Sequence, residues 1–431
     1  MPRKRSLILF IVTFTAVFGF LAIATPAFAV SKEKVLYSFC SASGCADGAY
    51  PYLGSLTFDA AGNLYGTTPL GGAHDNGGTV FELTPGPNGV WTETVLYSFC
   101  TLPGCADGGD PYAGLIFDAS GDLYGTTSGG GAYGWGTVFE LTPGANGTWT
   151  ENVLYSFCSA SNCTDGAEPH GSLVFDLKGN LYSTTSAGGS GQCRPLGCGT
   201  VFQLAPGANG TWTETVLHSF NRKDGEDPSA GLILDPKGNL YGTATYGGAH
   251  SGCPGGGCGT VFALAPGANG TWTFKVLHIF NNNGKDGYWP YAGVGIDTGG
   301  NLYGTTNHGG KGCNGYGCGT VFKLAPGAKG KWTEKVLHNF LQSYASLIFD
   351  AAGSLYGTTI NGGAYGAGTA FRVKQGTWRE TVLHSFGKGT DGRESFAGLI
   401  FDLAGNLYGT TEGGGSGGCT GGCGTVFEIT P

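Results

Sequence analysis

The stretch Asn63-Leu64-Tyr65-Gly66-Thr67-Thr68 decides the fold, because close copies of it recur along the chain. The copies lie at residues 122–127, 180–185, 239–244, 301–306, 354–359 and 406–411. Near-copies at a spacing of roughly 50 to 60 residues indicate a repeat protein, in which each copy marks one structural unit.

Each unit holds four short apolar runs that are separated by turn sequences. In their order along the chain they are a Trp run such as Trp91–Phe99, a Leu-Ile-Phe run such as Gly114–Asp118, the Asn-Leu-Tyr-Gly-Thr-Thr run, and a Gly-Thr-Val-Phe run such as Gly78–Leu83. Alternation in the Trp run predicts a strand with Trp91 and Val95 on one face. The Leu-Ile-Phe run is apolar on both faces, as in a strand buried on two sides. No helical periodicity follows the first thirty residues.

Seven units of four antiparallel strands without helices predict an all-β fold, a seven-bladed β-propeller with four-stranded blades. The strand Val35–Phe39 is of the Trp-run type, whereas Pro431 follows a Gly-Thr-Val-Phe run. We therefore expect Val35–Phe39 to join the last blade and to close the ring, which removes the open sheet edge. A β-solenoid is the alternative, but it would need capping segments that the sequence does not show.

Residues 1–29 have the pattern of a secretory signal peptide, with a basic start, an apolar run and an Ala27-Phe28-Ala29 cleavage site. An uncleaved membrane anchor is the alternative. Residues 30–431 are then expected to form one propeller domain that is secreted or held at the cell surface, with the periplasm as a further option. A formal net charge of −8 argues against nucleic-acid and anionic-membrane partners, and we expect a monomer.

Fourteen cysteines in an exported chain predict disulfide bonds. They form close pairs, and every pair falls in one of the two long connections that a propeller places on a single face. Zinc is disfavoured because the pairs lie in different units without matching histidines. The pairs are Cys40/Cys45, Cys100/Cys105, Cys158/Cys163, Cys193/Cys198, Cys253/Cys258, Cys313/Cys318 and Cys419/Cys423.

The repeated motifs carry a family resemblance across residues 35–431. Val-Leu-Tyr-Ser-Phe, Asp-Gly, Asn-Leu-Tyr-Gly-Thr-Thr and Gly-Thr-Val-Phe-Glu-Leu, taken in this order, resemble the GloVer tandem-repeat family of exported bacterial proteins. The resemblance implies an exported or surface repeat protein without an assigned biochemical activity. Family members often carry a C-terminal surface anchor, which is not expected here because the last repeat reaches Pro431.

Two sets of polar residues recur in register. A ring of Asp-Gly carboxylates could hold Ca²⁺, but Asp-Gly followed by Pro is ordinary turn chemistry, so no cofactor is expected. Four histidines replace a tyrosine of the Trp run, and we interpret them as packing residues with a polar tip. The carboxylates are Asp47, Asp107, Asp165, Asp224, Asp286 and Asp391, and the histidines are His218, His278, His338 and His384.

Candidate ligand contacts are the residues that differ most between repeats, after the Thr-Thr pair and in the nearby loops. Aromatic, amide and imidazole groups there would suit a glycan or a cell-surface protein, although drift of surface loops also gives such variation. No catalytic signature is visible, so a binding or interaction module is predicted, with a secreted glycoside hydrolase, lyase or lactonase as the alternative. The candidates are Tyr246, Asn307, His308, Asn361, Glu412, Trp135 and Trp289.

Overall fold

The computed structural model describes residues 31–193, 196–249, 252–312, 318–340 and 342–431. These residues form seven four-stranded antiparallel sheets, the blades of a β-propeller, so the predicted fold is confirmed. Within the described ranges no helix has the length and apolar character needed to span a membrane. The predicted signal peptide, residues 1–29, lies outside the described residues.

Each blade runs from an inner strand at the axis through a second and a third strand to an outer strand. Blades 1 to 3 are Thr57–Phe58, Leu64–Thr68, Thr79–Pro85, Trp91–Ser98; Ile116–Phe117, Leu123–Thr127, Thr137–Pro143, Trp149–Ser156; and Val174–Phe175, Leu181–Thr185, Thr200–Pro206, Trp212–Ser219. Blades 4 to 6 are Ile233–Leu234, Leu240–Ala244, Thr260–Pro266, Trp272–Ile279; Gly295–Ile296, Leu302–Gly310, Cys318–Pro326, Trp332–Phe340; and Ile348–Phe349, Leu355–Thr359, Thr369–Lys374, Arg379–Ser385.

Blade 7 closes the ring with a strand from the start of the described chain. Its inner three strands are Ile400–Phe401, Leu407–Thr411 and Thr425–Thr430, and its outer strand is Lys32–Ser38. Val35 pairs with Phe427 in this ladder. The predicted closure is therefore confirmed, and it leaves no blade with a missing outer strand.

Short one-turn 3₁₀ segments and one extra ladder complete the structure. Gly392–Arg393 pairs with Gly413–Gly414 above blade 7. The 3₁₀ segments are Ser43–Cys45, Pro87–Gly89, Pro103–Cys105, Ala145–Gly147, Ser161–Cys163, Ala208–Gly210, Pro254–Gly256, Ala268–Gly270 and Ala328–Gly330.

The outer strand departs from simple alternation because it carries a β-bulge. In blade 1, Val80 pairs with Tyr97 and Phe81 pairs with Val95, so that Leu96 has no opposite residue. The same register shift recurs in the other blades. A bulge increases local twist and re-aims the side chains beyond it, which turns Tyr97 towards the loop that follows the strand.

The second strand explains why the Asn-Leu-Tyr-Gly-Thr-Thr run is so constant. The Tyr65 hydroxyl donates to Asp59 and Glu82, at 3.1 and 2.7 Å, and so ties the strand to its turn and to the third strand. Gly66 must stay small, because a Cβ there would lie 2.6 Å from the Phe81 ring. The central glycine therefore allows close packing of an aromatic ring across the strand.

The two threonines that end the run join different parts of the molecule. The first connects neighbouring blades: the Thr184 hydroxyl of blade 3 donates to the Ala230 carbonyl of blade 4 at 2.9 Å. The second connects strands within a blade, since the Thr68 and Thr79 hydroxyls are 2.8 Å apart. Blade 4 has Ala244 at this second position, and there Thr260 bonds instead to the Asp224 carbonyl.

Replacing the inter-blade threonine of one blade should destabilise the protein, whereas the same change in another blade should not. Thr184→Val is expected to lower the free energy of unfolding by about 1 kcal/mol, because it leaves the Ala230 carbonyl without its donor. Thr410→Val is the matched control, since the buried Thr410 hydroxyl has no hydrogen-bond partner among the described residues. Urea unfolding of both variants checks this; equal losses would contradict it.

The hydrophobic core lies between blades rather than in one central cluster. Tyr65 and Phe99 of blade 1 pack with Leu115, Leu123 and Phe139 of blade 2, and the other blade pairs repeat this arrangement. Each blade is thus held by its neighbours, as expected for stacked repeats.

Candidate functional site

One face of the propeller carries the disulfides. Six of the predicted pairs are joined, and no described cysteine is free. The bonds close loops of five or six residues, which in the chain-entropy model gives roughly 2 kcal/mol each. Cys313 of the seventh predicted pair lies outside the described residues. The joined pairs are Cys40–Cys45, Cys100–Cys105, Cys158–Cys163, Cys193–Cys198, Cys253–Cys258 and Cys419–Cys423.

Burial distinguishes the two members of some of these pairs, although both lie in the predicted connections. Cys198 is joined to Cys193 as predicted, but it is fully buried, and its side chain belongs to the core cluster that contains Val201 and Phe220. The physical reason is that Cys198 stands just before the third strand of its blade, where the loop has already entered the packed interior. Its carbonyl also accepts the Asp227 N–H of the next blade at 3.0 Å.

The second cysteine of two later pairs is buried in the same way. Cys258 and Cys423 are fully buried too, and each stands just before the third strand of its blade. These disulfides therefore anchor a surface loop to a core residue, and their buried members are not available to a ligand. The face that they stiffen also holds the mouth of the central channel.

The mouth is encircled by aromatic side chains that the sequence analysis did not select. Tyr52 lies 4.4 Å from Phe396 and 5.6 Å from Tyr112, measured between ring centroids. The contacts continue from Tyr112 to His170 on one side and from Phe396 through Tyr344 to Tyr291 on the other. We call these six residues the aromatic collar: Tyr52, Tyr112, His170, Tyr291, Tyr344 and Phe396. Ser229 takes the corresponding place in blade 4.

The collar borders a cavity of about 610 Å³ that opens on the disulfide face. A second cavity of about 250 Å³ lies along the axis and is lined partly by small residues of the inner strands. His170, Ser229, Tyr291 and Tyr344 line both cavities. The mouth is therefore a concave, aromatic-walled seat within the usual size range of small-molecule sites.

A ring of strained residues holds the collar in place. In six blades the residue just before the Pro or Ser that precedes the collar has a left-handed backbone, with φ between 55° and 60°. Each donates its N–H to a loop of the preceding blade; for example, Trp289 bonds to the Cys258 carbonyl at 2.9 Å. Such conformations cost of order 1–3 kcal/mol for a non-glycine residue and tend to occur at functional sites. We call this set the rim: Tyr50, Asp110, Glu168, Asp227, Trp289 and Glu394.

Four of the predicted ligand residues lie together between blades 4 and 5. The Trp289 ring is 5.6 Å from Tyr246 and 5.0 Å from His308. The Tyr246 hydroxyl is 2.7 Å from that of Tyr291, which joins this group to the collar. Burial lowers the pKa of His308 below its usual value.

Asn307, the fourth of these residues, and Asn361 lie at the next places around this part of the mouth. Asn307 is fully buried beside the Tyr344 hydroxyl, and its amide atoms do not reach hydrogen-bond geometry with any described group. Asn361 is exposed and donates to Gln342 at 2.8 Å. Gln342 also contacts His308, which extends the polar edge from blade 5 to blade 6.

Trp135 is placed apart from the other candidates. It packs beside the Cys158–Cys163 disulfide of the next blade, with Ala167 and Ala187 in the same cluster. Its carbonyl accepts a hydrogen bond from Glu168. These contacts explain Trp135 as a packing residue between blades.

Glu412 is the carboxylate that lines the larger cavity. Burial, and then the charge of Glu394, raise the pKa of Glu412 above its usual range. The Glu412 N–H donates to the Glu394 carbonyl at 3.0 Å, so the two side chains belong to one backbone corner. The arrangement places one carboxyl group on the cavity wall, with a second, Glu394, close to it.

The repeated Asp-Gly carboxylates serve their own loops. Asp47 accepts hydrogen bonds from the Tyr37 hydroxyl, the Ser41 hydroxyl and two backbone N–H groups, at 2.8 to 3.1 Å. Three of the histidines that replace the tyrosine keep this contact, as between His384 and Asp391 at 2.8 Å, whereas His338 lies 3.0 Å from Glu380. The predicted role of these histidines as packing residues with a polar tip agrees with these contacts. The expectation that no cofactor binds at these carboxylates stays a prediction.

Two further clusters have donor atoms within 4.8 Å of one another. The first is Cys40, Cys45, Cys419 and Cys423, whose sulfurs are already used in two disulfides that meet at the ring closure. The second is Glu33, His384 and Asp391 between blades 6 and 7. The corresponding places between blades 1 and 2 hold Glu151, Tyr97 and Asp107, so this second set follows the repeat pattern.

The collar residues share one position in the repeated sequence motif. Four of its residues directly follow the proline of the Asp-Gly-x-x-Pro motif: Tyr52, Tyr112, His170 and Tyr291. Tyr344 and Phe396 take the same place after Ser343 and Ser395. A residue that follows a loop and precedes the inner strand must lie near the axis, so this position could have been selected.

Solved structures share the architecture at low sequence identity. The extracellular domain of the hybrid two component system BT3049 from B. thetaiotaomicron aligns with a TM-score of 0.50 and 11% identity, over 93% of this chain and 41% of that one. PorZ, a surface component of the type-IX secretion system of Porphyromonas gingivalis, gives 0.51 and 15%, over 88% and 46%. An ulvan lyase bound to a GlcA–Rha3S saccharide gives 0.51 and 8%, over 92% and 95%.

These likenesses show the fold alone, and the chain spans less than half the length of the first two proteins. No curated protein matches the chain in sequence. A family model, by contrast, matches it at residues 23–193, 192–346 and 316–431, and its description is the Gloeobacter/Verrucomicrobia repeat. Because these matches cover nearly all of the sequence, the chain belongs to the Gloeobacter/Verrucomicrobia (GloVer) repeat family.

Proposed function

We propose that this protein is an exported binding propeller that takes a carbohydrate chain at the aromatic collar. The observation that carries the proposal is the collar itself, six rings in successive contact, five of which line a cavity of about 610 Å³. Export is supported by the disulfides, which persist in oxidising compartments. The extracellular and surface neighbours of the fold are consistent with this location.

The chemistry of the walls favours a sugar over a flat protein surface. Tyrosine rings offer apolar faces for stacking and hydroxyl groups for hydrogen bonds, which matches the two kinds of surface that a sugar ring presents. Ser229 and Glu412 add polar atoms at fixed points of the same wall. A protein partner would be favoured by a broad, flat patch, whereas this seat is concave.

The seat is prearranged, which favours binding by reducing the ordering cost. The rim residues are fixed by backbone bonds to the preceding blade, and three disulfides close the loops that lead to the collar. Side chains that are already held in place lose little entropy when a ligand arrives.

Removing single collar rings tests the proposal. Tyr52→Ala and Tyr344→Ala are each expected to weaken glycan binding by about 5- to 30-fold, because a stacking ring contributes on the order of 1–2 kcal/mol. Tyr365→Ala is the matched control, since Tyr365 is an exposed tyrosine outside the cavity.

The measurement is a glycan array to find the ligand, followed by calorimetric titration of the three variants. A blank array under several salt conditions would contradict a carbohydrate ligand. Equal losses in Tyr365→Ala and Tyr52→Ala would contradict the collar as its seat.

An enzyme acting on the same ligand is the second candidate, and Glu412 is the observation that favours it. A carboxyl group with a raised pKa on a cavity wall is a possible general acid, and glycoside cleavage needs such a group with a second carboxylate. Glu394 is the nearby carboxylate. Polysaccharide turnover that is present in the wild type and absent in Glu412→Gln would establish this function in place of simple binding.

A further inference from the structure

Among the described residues that line the larger cavity, Glu412 is the acid, His170 is the basic residue, and none is a lysine or an arginine. Arg393 lies close by on the ladder above blade 7, where it pairs with Gly413. Three rim residues carry carboxylates whose charges act on groups that line the cavity: Asp110, Asp227 and Glu394. Carboxylates therefore come from blades 2, 4 and 7.

The carboxylates lie close enough to act on the collar rings. Burial first, and the charge of Glu412 second, raise the pKa of Tyr52 to about 12. After burial, the charges of Asp110 and Glu412 raise the pKa of Tyr112. Burial raises the pKa of Tyr291 as well, and Asp227 contributes in the same direction. Stacking surface and negative charge thus occur at one place.

Two attractive interactions would favour a cation in this cavity. The face of a tyrosine ring attracts a positive charge, with a gain of about 0.5–2 kcal/mol that grows as water is excluded. A carboxylate forms a charge-assisted hydrogen bond with an ammonium group. A cation beside Glu412 would also relieve the repulsion between Glu412 and Glu394.

We propose that the ligand is a cationic amino sugar chain, whose free amino group sits against Glu412 while its ring stacks on the neighbouring tyrosines of the collar. This inference rests on the proposed function, a carbohydrate seat at the collar. An amino sugar fits better than a lysine-rich peptide, because its amino group is attached directly to the stacking ring. A lysine side chain separates its charge from its backbone by a flexible apolar stem.

The test compares two oligosaccharides of the same length and linkage, one with free amino groups and one with acetylated, uncharged ones. A β-1,4-linked glucosamine hexamer and its fully N-acetylated counterpart are titrated into the exported protein at about pH 6 and low salt, with a lysine octamer as a third probe. The glucosamine hexamer should bind about tenfold more tightly than the acetylated one. Its advantage should shrink as salt is added.

Variants assign the preference to the mouth. Glu412→Gln should bring the ratio of the two affinities close to one, because it removes the charge and keeps the shape. Asp75→Asn is the matched control, since Asp75 is an exposed acid of the same face that does not line the cavity, and it should leave the ratio unchanged.

Each of the other outcomes contradicts either the amino sugar ligand or the carbohydrate site itself. Equal binding of both hexamers, or a preference that survives in Glu412→Gln, overturns the amino sugar and leaves the carbohydrate seat standing. Tighter binding of the lysine octamer than of either hexamer overturns it in favour of a basic peptide. If neither hexamer binds and no other glycan on the array binds, the proposed carbohydrate site at the collar is contradicted as well.

Discussion

Raising the pH from about 5 to about 9 is expected to lower the free energy of unfolding by several kcal/mol. The cause is a set of glutamates on the outer strands, each placed against the Asp-Gly carboxylate of the preceding blade. Burial, and then the facing Asp, raise their pKa values: to about 7 for Glu33 and Glu334, and to about 8 for Glu93, Glu151 and Glu214.

The direction follows from linkage. A group whose pKa is higher in the folded state binds its proton more tightly there, so its stabilisation is complete below about pH 4.5 and is lost as pH rises through 7 to 8. One pKa unit corresponds to about 1.4 kcal/mol, and solvent screening reduces this for half-buried groups. Even so, five such groups together give a large effect. Below about pH 4 the opposite loss begins, because the pKa of Asp107 is lowered in the folded state.

Urea unfolding at several pH values measures the slope. Glu151→Gln should match the wild type at pH 5 and exceed its stability at pH 9, because the amide resembles the protonated acid. Asp75→Asn, at an exposed site, should follow the wild type at both pH values. A wild-type stability that stays flat or rises between pH 5 and pH 9 would refute the interpretation.

Phe39→Ala is expected to cost about 3–5 kcal/mol and to loosen the closure of the ring. Phe39 is fully buried, and its ring lies 5.0 Å from Phe81 of blade 1. Its N–H bonds to the Gly424 carbonyl of blade 7 at 3.0 Å. The residue therefore holds the outer strand of blade 7 both to its own blade and to blade 1.

Phe99→Ala is the matched control, because Phe99 occupies the same position in blade 1 and packs 5.1 Å from Phe139. Both variants should lose similar stability in urea. Hydrogen exchange should distinguish them: amides of Thr425–Thr430 that bond to Lys32–Ser38 should exchange faster only in Phe39→Ala. Similar protection of those amides in both variants would show that the closure does not depend on Phe39.

Most of the fold could be predicted because the same pattern of four apolar runs recurs in each of the seven units. Runs such as Leu123–Thr127 indicated the strands, and turns such as Asp118–Gly121 indicated the connections. The outer-strand bulge at Leu96 was missed, since a bulge is one extra residue in a ladder and leaves the hydrophobic pattern intact on either side. Strand phase alone predicted the closure.

The site was predicted in part, for a physical reason. Variation between repeats led to Trp289, His308 and Tyr246, which do lie together and touch the collar. It also led to Trp135, which packs on a disulfide. The collar was missed because most of its members are tyrosines that resemble one another, so a search for differences between repeats passes over them. These tyrosines form one continuous surface only in the folded propeller, where copies from different blades come into contact.

The closure of blade 7 also sets the order in which the molecule can be completed. Lys32 pairs with Thr430, so the first described strand can form its ladder only after nearly the entire chain has been synthesised. Contacts between such distant residues are slow to form, because the loop between them must close first. During synthesis the early strand and the late sheet edge are both open, and each can pair with another chain. Ring completion is thus the step at which folding and aggregation compete most directly.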